Sequence, residues 1–166
     1  MDEAFKPAHS IHHLVLRKAS FSDVQAIRDC LAAAFEPFRS QYTPGAFHDT
    51  VPPIPHLVKR LSKMTVLVTE SESEVVGTIA YSQIDTDEGH LRGMAVLPQW
   101  QAQGVAKTLL IAAKTKLRAQ DCRRVTLDTT EPLQRAIRFY EKNGYQPTGR
   151  VSDFFGMRLH EYAKAL

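Results

Sequence analysis

At 166 residues, with 43% hydrophobic and 23% charged content, the chain has the size and composition of one globular domain that buries its core without disulfides or metal. These proportions exclude disordered and collagen-like classes, and no apolar run approaches the roughly 18–20 residues that span a bilayer. The net charge of +3 suits an anionic ligand, but the basic residues are scattered rather than clustered, which argues against a nucleic-acid partner.

Met1 to Ser10 lacks the apolar centre of a secretory signal, so a cytoplasmic location without membrane attachment is expected. Ile11 to Lys18 alternates as a strand. His9, His12 and His13 have neither a paired carboxylate nor a second cluster beside them, and no metal site is expected there. Ser20 or Ser22 offers a cap for a helix running from Phe21 to Phe35, in which Val24, Ile27, Leu31 and Phe35 recur at helical spacing. Cys30 in that helix and Cys122 before a later strand are unclustered, which suits reduced, packed thiols.

Pro37, Pro44, Gly45, Pro52, Pro53 and Pro55 then break the chain, while Phe38, Tyr42, Phe47 and Ile54 add apolar surface. A short helix is predicted from His56 to Met64. Thr65 to Thr69 and Val75 to Ile84 read as an antiparallel hairpin about the polar turn Glu70 to Glu74, and Asp85 to Gly89 forms the next turn.

Leu91 to Leu110, LRGMAVLPQWQAQGVAKTLL, is the most informative stretch. A strand (His90 to Leu97) passes through a Pro-led turn and a Gly-bearing loop into a helix from about Gly104 to Ala119. Such a junction presents unpaired backbone N–H groups and the positive end of the helix dipole to one point, which favours a phosphate. Gln101, Ala102, Gln103, Gly104, Val105 and Ala106 can wrap an anion with main-chain donors, since Gly104 admits close approach and Ala106 keeps the first turn narrow. The P-loop and the dinucleotide fingerprint are both absent, and Gly104 alone is equally compatible with a relaxed strand-to-helix turn. Gly93 inside the strand marks a bulge or a close backbone approach.

The strand Arg124 to Thr129 completes a parallel β-α-β unit, and Pro132 opens a helix with Leu133, Ala136, Ile137, Tyr140 and Gly144 on one face. Asn143-Gly144 ends that helix, and Tyr145 to Leu166 supplies one or two closing strands. The predicted fold is a single α/β domain over residues 1–166: a central mixed sheet of about six to seven strands flanked by about four helices.

The loop resembles motif A of the GNAT acyltransferase superfamily, whose pattern is Gln or Arg, two variable residues, Gly, one variable residue, then Gly or Ala; Gln101, Gly104 and Ala106 fit it. The resemblance extends to Val15 to Ala19 as the first strand, Phe21 to Phe35 as the first helix, and Arg135 to Tyr145 as the helix and Gly-aromatic ending after the fifth strand. It implies an N-acetyltransferase that uses acetyl-CoA to modify a primary amine, on a small molecule or a peptide, by direct attack in a ternary complex. The implied pyrophosphate site is Gln101 to Lys107, including Ala102, Gln103 and Val105, with the pantetheine arm along Met94 to Val96. A freed N–H near Val96 would stabilise the thioester oxyanion.

Tyr140 stands where the family commonly places its general acid, and His90 where some members carry a base, with Glu88 or a water chain as alternatives. On residues alone, Tyr140 reads rather as a core aromatic and His90 as an untasked strand-end histidine. One departure is Leu133, where many relatives have an Asn that bonds the pantetheine arm. Arg135, Arg138 and Lys142 form a stripe that is either a solvated face or a phosphate contact. Phe38, Tyr42, Phe47, His48 and Asp49 fall in the region that shapes acceptor access, and Asp85, Asp87 and Glu88 would attract a cationic amine. Homodimers are frequent in the family. The alternative function is a non-catalytic acyl-CoA-binding or sensor domain on the same fold.

Overall fold

The computed structural model describes residues 13–166, so His9, Ile11 and His12 lie outside the described residues. A seven-stranded sheet has the order β1-β2-β3-β4-β5-β7-β6, from β1 (Leu14–Lys18), β2 (Thr65–Ser71), β3 (Glu74–Gln83), β4 (Glu88–Val96), β5 (Arg124–Thr130), β6 (Gln146–Phe154) and β7 (Met157–Ala165). Neighbours are antiparallel except β4 and β5, which run parallel as the β-α-β reading requires.

Five helices accompany the sheet among the described residues: α1 (Val24–Phe35), α2 (Pro44–Thr50), α3 (Ile54–Lys63), α4 (Val105–Ala119) and α5 (Gln134–Lys142). The expectation of about four helices missed α2. There the Pro44-Gly45 pair suggests only a break, yet Pro44 occupies the first helical position, where its missing N–H is harmless, and Thr43 Oγ1 accepts from Ala46 N at 3.2 Å. The polar turn expected over five residues is also shorter. Glu72 and Ser73 both take positive φ (50° and 68°), which tightens β2 and β3 into a two-residue hairpin without the usual Gly or Asn.

α1 enters through a capping box in which Ser20 N donates to Asp23 Oδ2 at 2.7 Å. Its buried face, Val24, Ile27, Cys30 and Leu31, packs on β3 and β4. α4 buries Val105, Leu109, Leu110, Ala113 and Leu117 against β2, β3 and β4. A Cβ on Gly77 would stand 2.8 Å from Val105 Cγ1, and one on Gly89 2.7 Å from Leu117, so both glycines face α4. Strand alternation then turns His90 to the opposite face, towards α1, α2 and α3. β3 is covered on both sides, which explains its almost continuous buried run from Val75 to Tyr81.

Cys30 and Cys122 are both free and buried. Burial raises the Cys30 thiol to about 12, and its S–H points to Ala95 O at 3.8 Å, a packing role between α1 and β4. No helix among the described residues is long and apolar enough to cross a membrane.

Candidate functional site

The parallel pairing of β4 with β5 runs from Glu88↔Arg124 to Leu91↔Leu127 and then stops. Beyond it the strands part, leaving the edge of β4 from Arg92 to Val96 without a ladder partner on that side. A cavity of about 690 Å³ opens at this split, reached by residues of both strands, α1, α2, α3, the start of α4, and α5.

At one end lies the loop before α4. Ala102 has φ 60° and Gly104 has φ 84°, and Gly104 is the N-cap of α4 without a side-chain capping bond. The first N–H groups of a 15-residue helix are therefore open to a ligand. A Cβ on Gly104 would meet nothing within 4 Å, which leaves space beside these donors. Gln101, Ala102, Gly104, Ala106 and Lys107 line the cavity. The side chains of two other expected contacts point elsewhere: Val105 is 1% exposed in the core and Gln103 Nε2 donates to Gln99 O at 2.8 Å. Their backbones alone remain available. Gln101 is itself tied, donating to Val96 O at 3.1 Å and accepting from Arg135 Nη1 at 3.3 Å.

Along the middle run Met94 and Val96, next to a β-bulge. Thr78 pairs with Ala95 and Ala80 with Arg92, so Gly93 and Met94 oppose Ile79 alone, and Gly93 has φ 61°. The bulge expected at Gly93 is present, and it bends the strand edge into the cavity.

At the far end Tyr140 and His90 share the cavity. Tyr140, on α5, is half-buried, stacks on Tyr145 with ring centroids 6.0 Å apart, and gives its hydroxyl no hydrogen-bond partner among the described residues. Burial, reinforced by Tyr145, raises its pKa well above the ordinary phenol value, so it stays protonated. His90 Nδ1 lies 2.8 Å from Thr126 Oγ1, and Nε2 lies 3.6 Å from Asp128 Oδ2. Burial lowers the imidazole pKa and raises that of Asp128, while each charge draws the other back; Arg92, Glu161 and Glu88 act on His90 from further away. Asp128 carried no signal in the sequence beyond a carboxylate in a predicted strand. Only the parallel β4·β5 register sets it beside His90.

Glu88 pairs with Arg124 at 2.9 Å and does not line the cavity, and neither do Asp85 and Asp87. On the acceptor side Phe38, Tyr42 and Asp49 line it, with Tyr42 Oη bound to Thr130 Oγ1 at 2.6 Å. Phe47 is in the core, and His48 lies edge-on to His56. Leu133 and Arg135 also line the cavity, whereas Arg138 and Lys142 do not.

The family model that matches this chain is described as the acetyltransferase (GNAT) family and covers residues 24–145. Solved structures share the fold at low identity. The PaiA N-acetyltransferase of Thermoplasma acidophilum in complex with coenzyme A is 18% identical, with TM-score 0.74, over 93% of this chain and 99% of that one. A ribosomal-protein-alanine N-acetyltransferase of Brucella melitensis is 20% identical, with TM-score 0.73, over 92% and 99%. A GNAT-family acetyltransferase of Staphylococcus aureus Mu50 is 16% identical, with TM-score 0.76, over 93% and 99%.

Proposed function

The chain belongs to the acetyltransferase (GNAT) family, and on that premise we propose that it transfers an acetyl group from acetyl-CoA to a primary amine by direct attack in a ternary complex. One observation carries this reading: a partnerless phenol and a histidine-carboxylate pair line the same cavity, where β4 and β5 separate. Acetyl-CoA supplies the acyl group already activated as a thioester.

The residues fit that donor. Open amides at the α4 N-terminus suit a diphosphate, the space beside Gly104 admits it, and Lys107 adds a positive charge. The unpaired edge of β4 from Arg92 to Val96 offers backbone groups to the amide-rich arm. Leu133 offers only apolar contact from α5.

The acceptor reaches the thioester carbon from the His90 face. His90, aligned by Thr126 and backed by Asp128, takes the proton that the amine nitrogen loses as its new bond to carbon forms. Tyr140 gives its hydroxyl proton to the sulfur as the carbon-sulfur bond breaks, after which His90 releases its proton to solvent and solvent reprotonates the phenolate. Burial raises the phenol, and the same desolvation would raise the proton affinity of a thiolate formed beside it, so the two shifts run in the same direction.

Thiol release across a panel of amines tests this directly. Wild type is expected to turn over at least one amine, and Tyr140→Phe is expected to lower kcat about 100-fold while retaining coenzyme A binding. An equally active Tyr140→Phe variant removes the tyrosine as the acid. Leu133 favours a second reading, a non-catalytic acyl-CoA-binding domain, which requires coenzyme A binding with no thiol release from any amine.

A further inference from the structure

We propose that the acceptor amine carries a carboxylate, and that Arg60 receives it. This rests on the acetyltransferase reading above and names the acceptor class for the same site. Arg60 projects from α3 to the wall of the cavity, and its Nη1 would be 2.7 Å from a Cβ on Gly93. The guanidinium therefore lies against the β4 bulge, on the face that also bears His90 and Arg92. A side chain at position 93 would displace the guanidinium from this seat.

Arg60 is half-buried, and among the described residues its guanidinium makes no hydrogen bond and no ion pair. Asp49 is the nearby carboxylate, but Arg92 Nη2 already holds its Oδ2 at 2.9 Å. Asp49 is thus engaged by Arg92, and the Arg60 guanidinium is left at the cavity wall without a direct carboxylate partner. Burial and the neighbouring Arg92 lower Arg60 to about 10, with Asp49 opposing them, so it remains charged at neutral pH. A desolvated guanidinium without a partner is unfavourable, and its planar fork matches a carboxylate in two parallel hydrogen bonds.

The donor does not provide that anion. Its charged groups belong at the loop before α4, and the arm and thioester reaching Gly93 are neutral. The anion must arrive with the acceptor. One guanidinium without a direct partner matches a monoanionic carboxylate better than a dianionic phosphate, whose second charge would face Asp49 and Asp128 in the same cavity.

The test compares aminocarboxylic acids of increasing chain length, each with its carboxamide and its aminophosphonate counterpart. For the best length, wild type should favour the acid over the carboxamide by about ten- to a hundred-fold in kcat/KM. Arg60→Gln should collapse that ratio towards one, and Arg60→Lys should restore part of it. A wild-type ratio at or below one overturns the proposal, as does a ratio unaltered in a folded Arg60→Gln protein, or a preference for the phosphonate.

A readout independent of turnover uses the product side. Coenzyme A-loaded wild type should be stabilised against heat by N-acetyl amino acids and not by N-acetyl amides; equal stabilisation by both, or by neither, contradicts the carboxylate site. Failure of the underlying reading looks different, because no acid, carboxamide or phosphonate then releases thiol, whether or not coenzyme A gives binding heat.

Discussion

His90 shows most directly how one residue's surroundings set its chemistry. The imidazole is pushed below its ordinary value of 6.5 by burial, and Asp128 pulls it back up. Its neutral, proton-accepting form therefore persists to lower pH than in a free histidine, and the acidic limb of the kcat/KM profile should fall below that ordinary value. Asp128→Asn removes the group that raises the histidine, so the limb should move to still lower pH; a limb that stays put, or moves upward, would remove His90 from the proton path. Tyr140 shows the complementary case. Its raised pKa keeps the phenol protonated across the working range, which an acid requires and a base could not use.

How legible these residues were depended on distance along the chain. Gly93, Gly104, Ala106 and Tyr140 stand in local patterns that declare a bulge, a loop and a helix face. Asp128 and Arg60 do not: they acquire meaning only through the β4·β5 register and the seating of α3 against the bulge, which are long-range contacts. Asp85, Asp87 and Glu88 do not line the cavity, so any attraction they exert on an amine acts from outside it.

Among the elements, the β4-loop-α4 unit depends on how closely α4 approaches the sheet. Gly77 on β3 permits that approach, because any side chain there would meet Val105 Cγ1 at 2.8 Å and Leu109 Cδ1 at 3.0 Å. Gly77→Val is expected to destabilise the fold by about 1–3 kcal/mol through overpacking. Combining it with Val105→Ala should recover part of the loss, since the two side chains compete for one space. Additive losses in chemical denaturation would show that no such competition exists. The same packing aims the first N–H groups of α4, so the single Gly77→Val variant should also weaken coenzyme A binding. The β2-β3 hairpin and the β-α-β unit followed from apolar periodicity and Gly/Pro punctuation, whereas α2 escaped because its start reads as a turn. Its helicity rests on Thr43 as cap and on Ala46 and Phe47 reaching the core.

Over the molecule as a whole, the first strand and first helix are fastened to the hairpin by one partly buried ion network. Arg17 on β1 grips Asp23 through two bonds of 2.8 Å and reaches Glu70 on β2 at 3.2 Å. Arg17 holds the Asp23 carboxyl down to about 2, against burial and with help from the Ser20 N–H. A carboxyl depressed on folding stabilises the protein above its unfolded value and loses that contribution as pH falls through the folded one. Asp23→Asn should therefore cost roughly 1–2 kcal/mol at neutral pH, discounted for the partly exposed Arg17. The difference from wild type should shrink between 3.8 and about 2. An undiminished difference at the acid end would assign the loss to the cap rather than to the charge.

In the function proposed above, a thioester held by its diphosphate at the head of α4 enters the split between β4 and β5. A crystal structure of the protein with coenzyme A tests that most directly. The diphosphate should accept hydrogen bonds from the main-chain N–H groups between Ala102 and Lys107, with the sulfur within reach of the Tyr140 hydroxyl. Coenzyme A bound away from Gly104, or a thiol turned away from Tyr140 and His90, would contradict it.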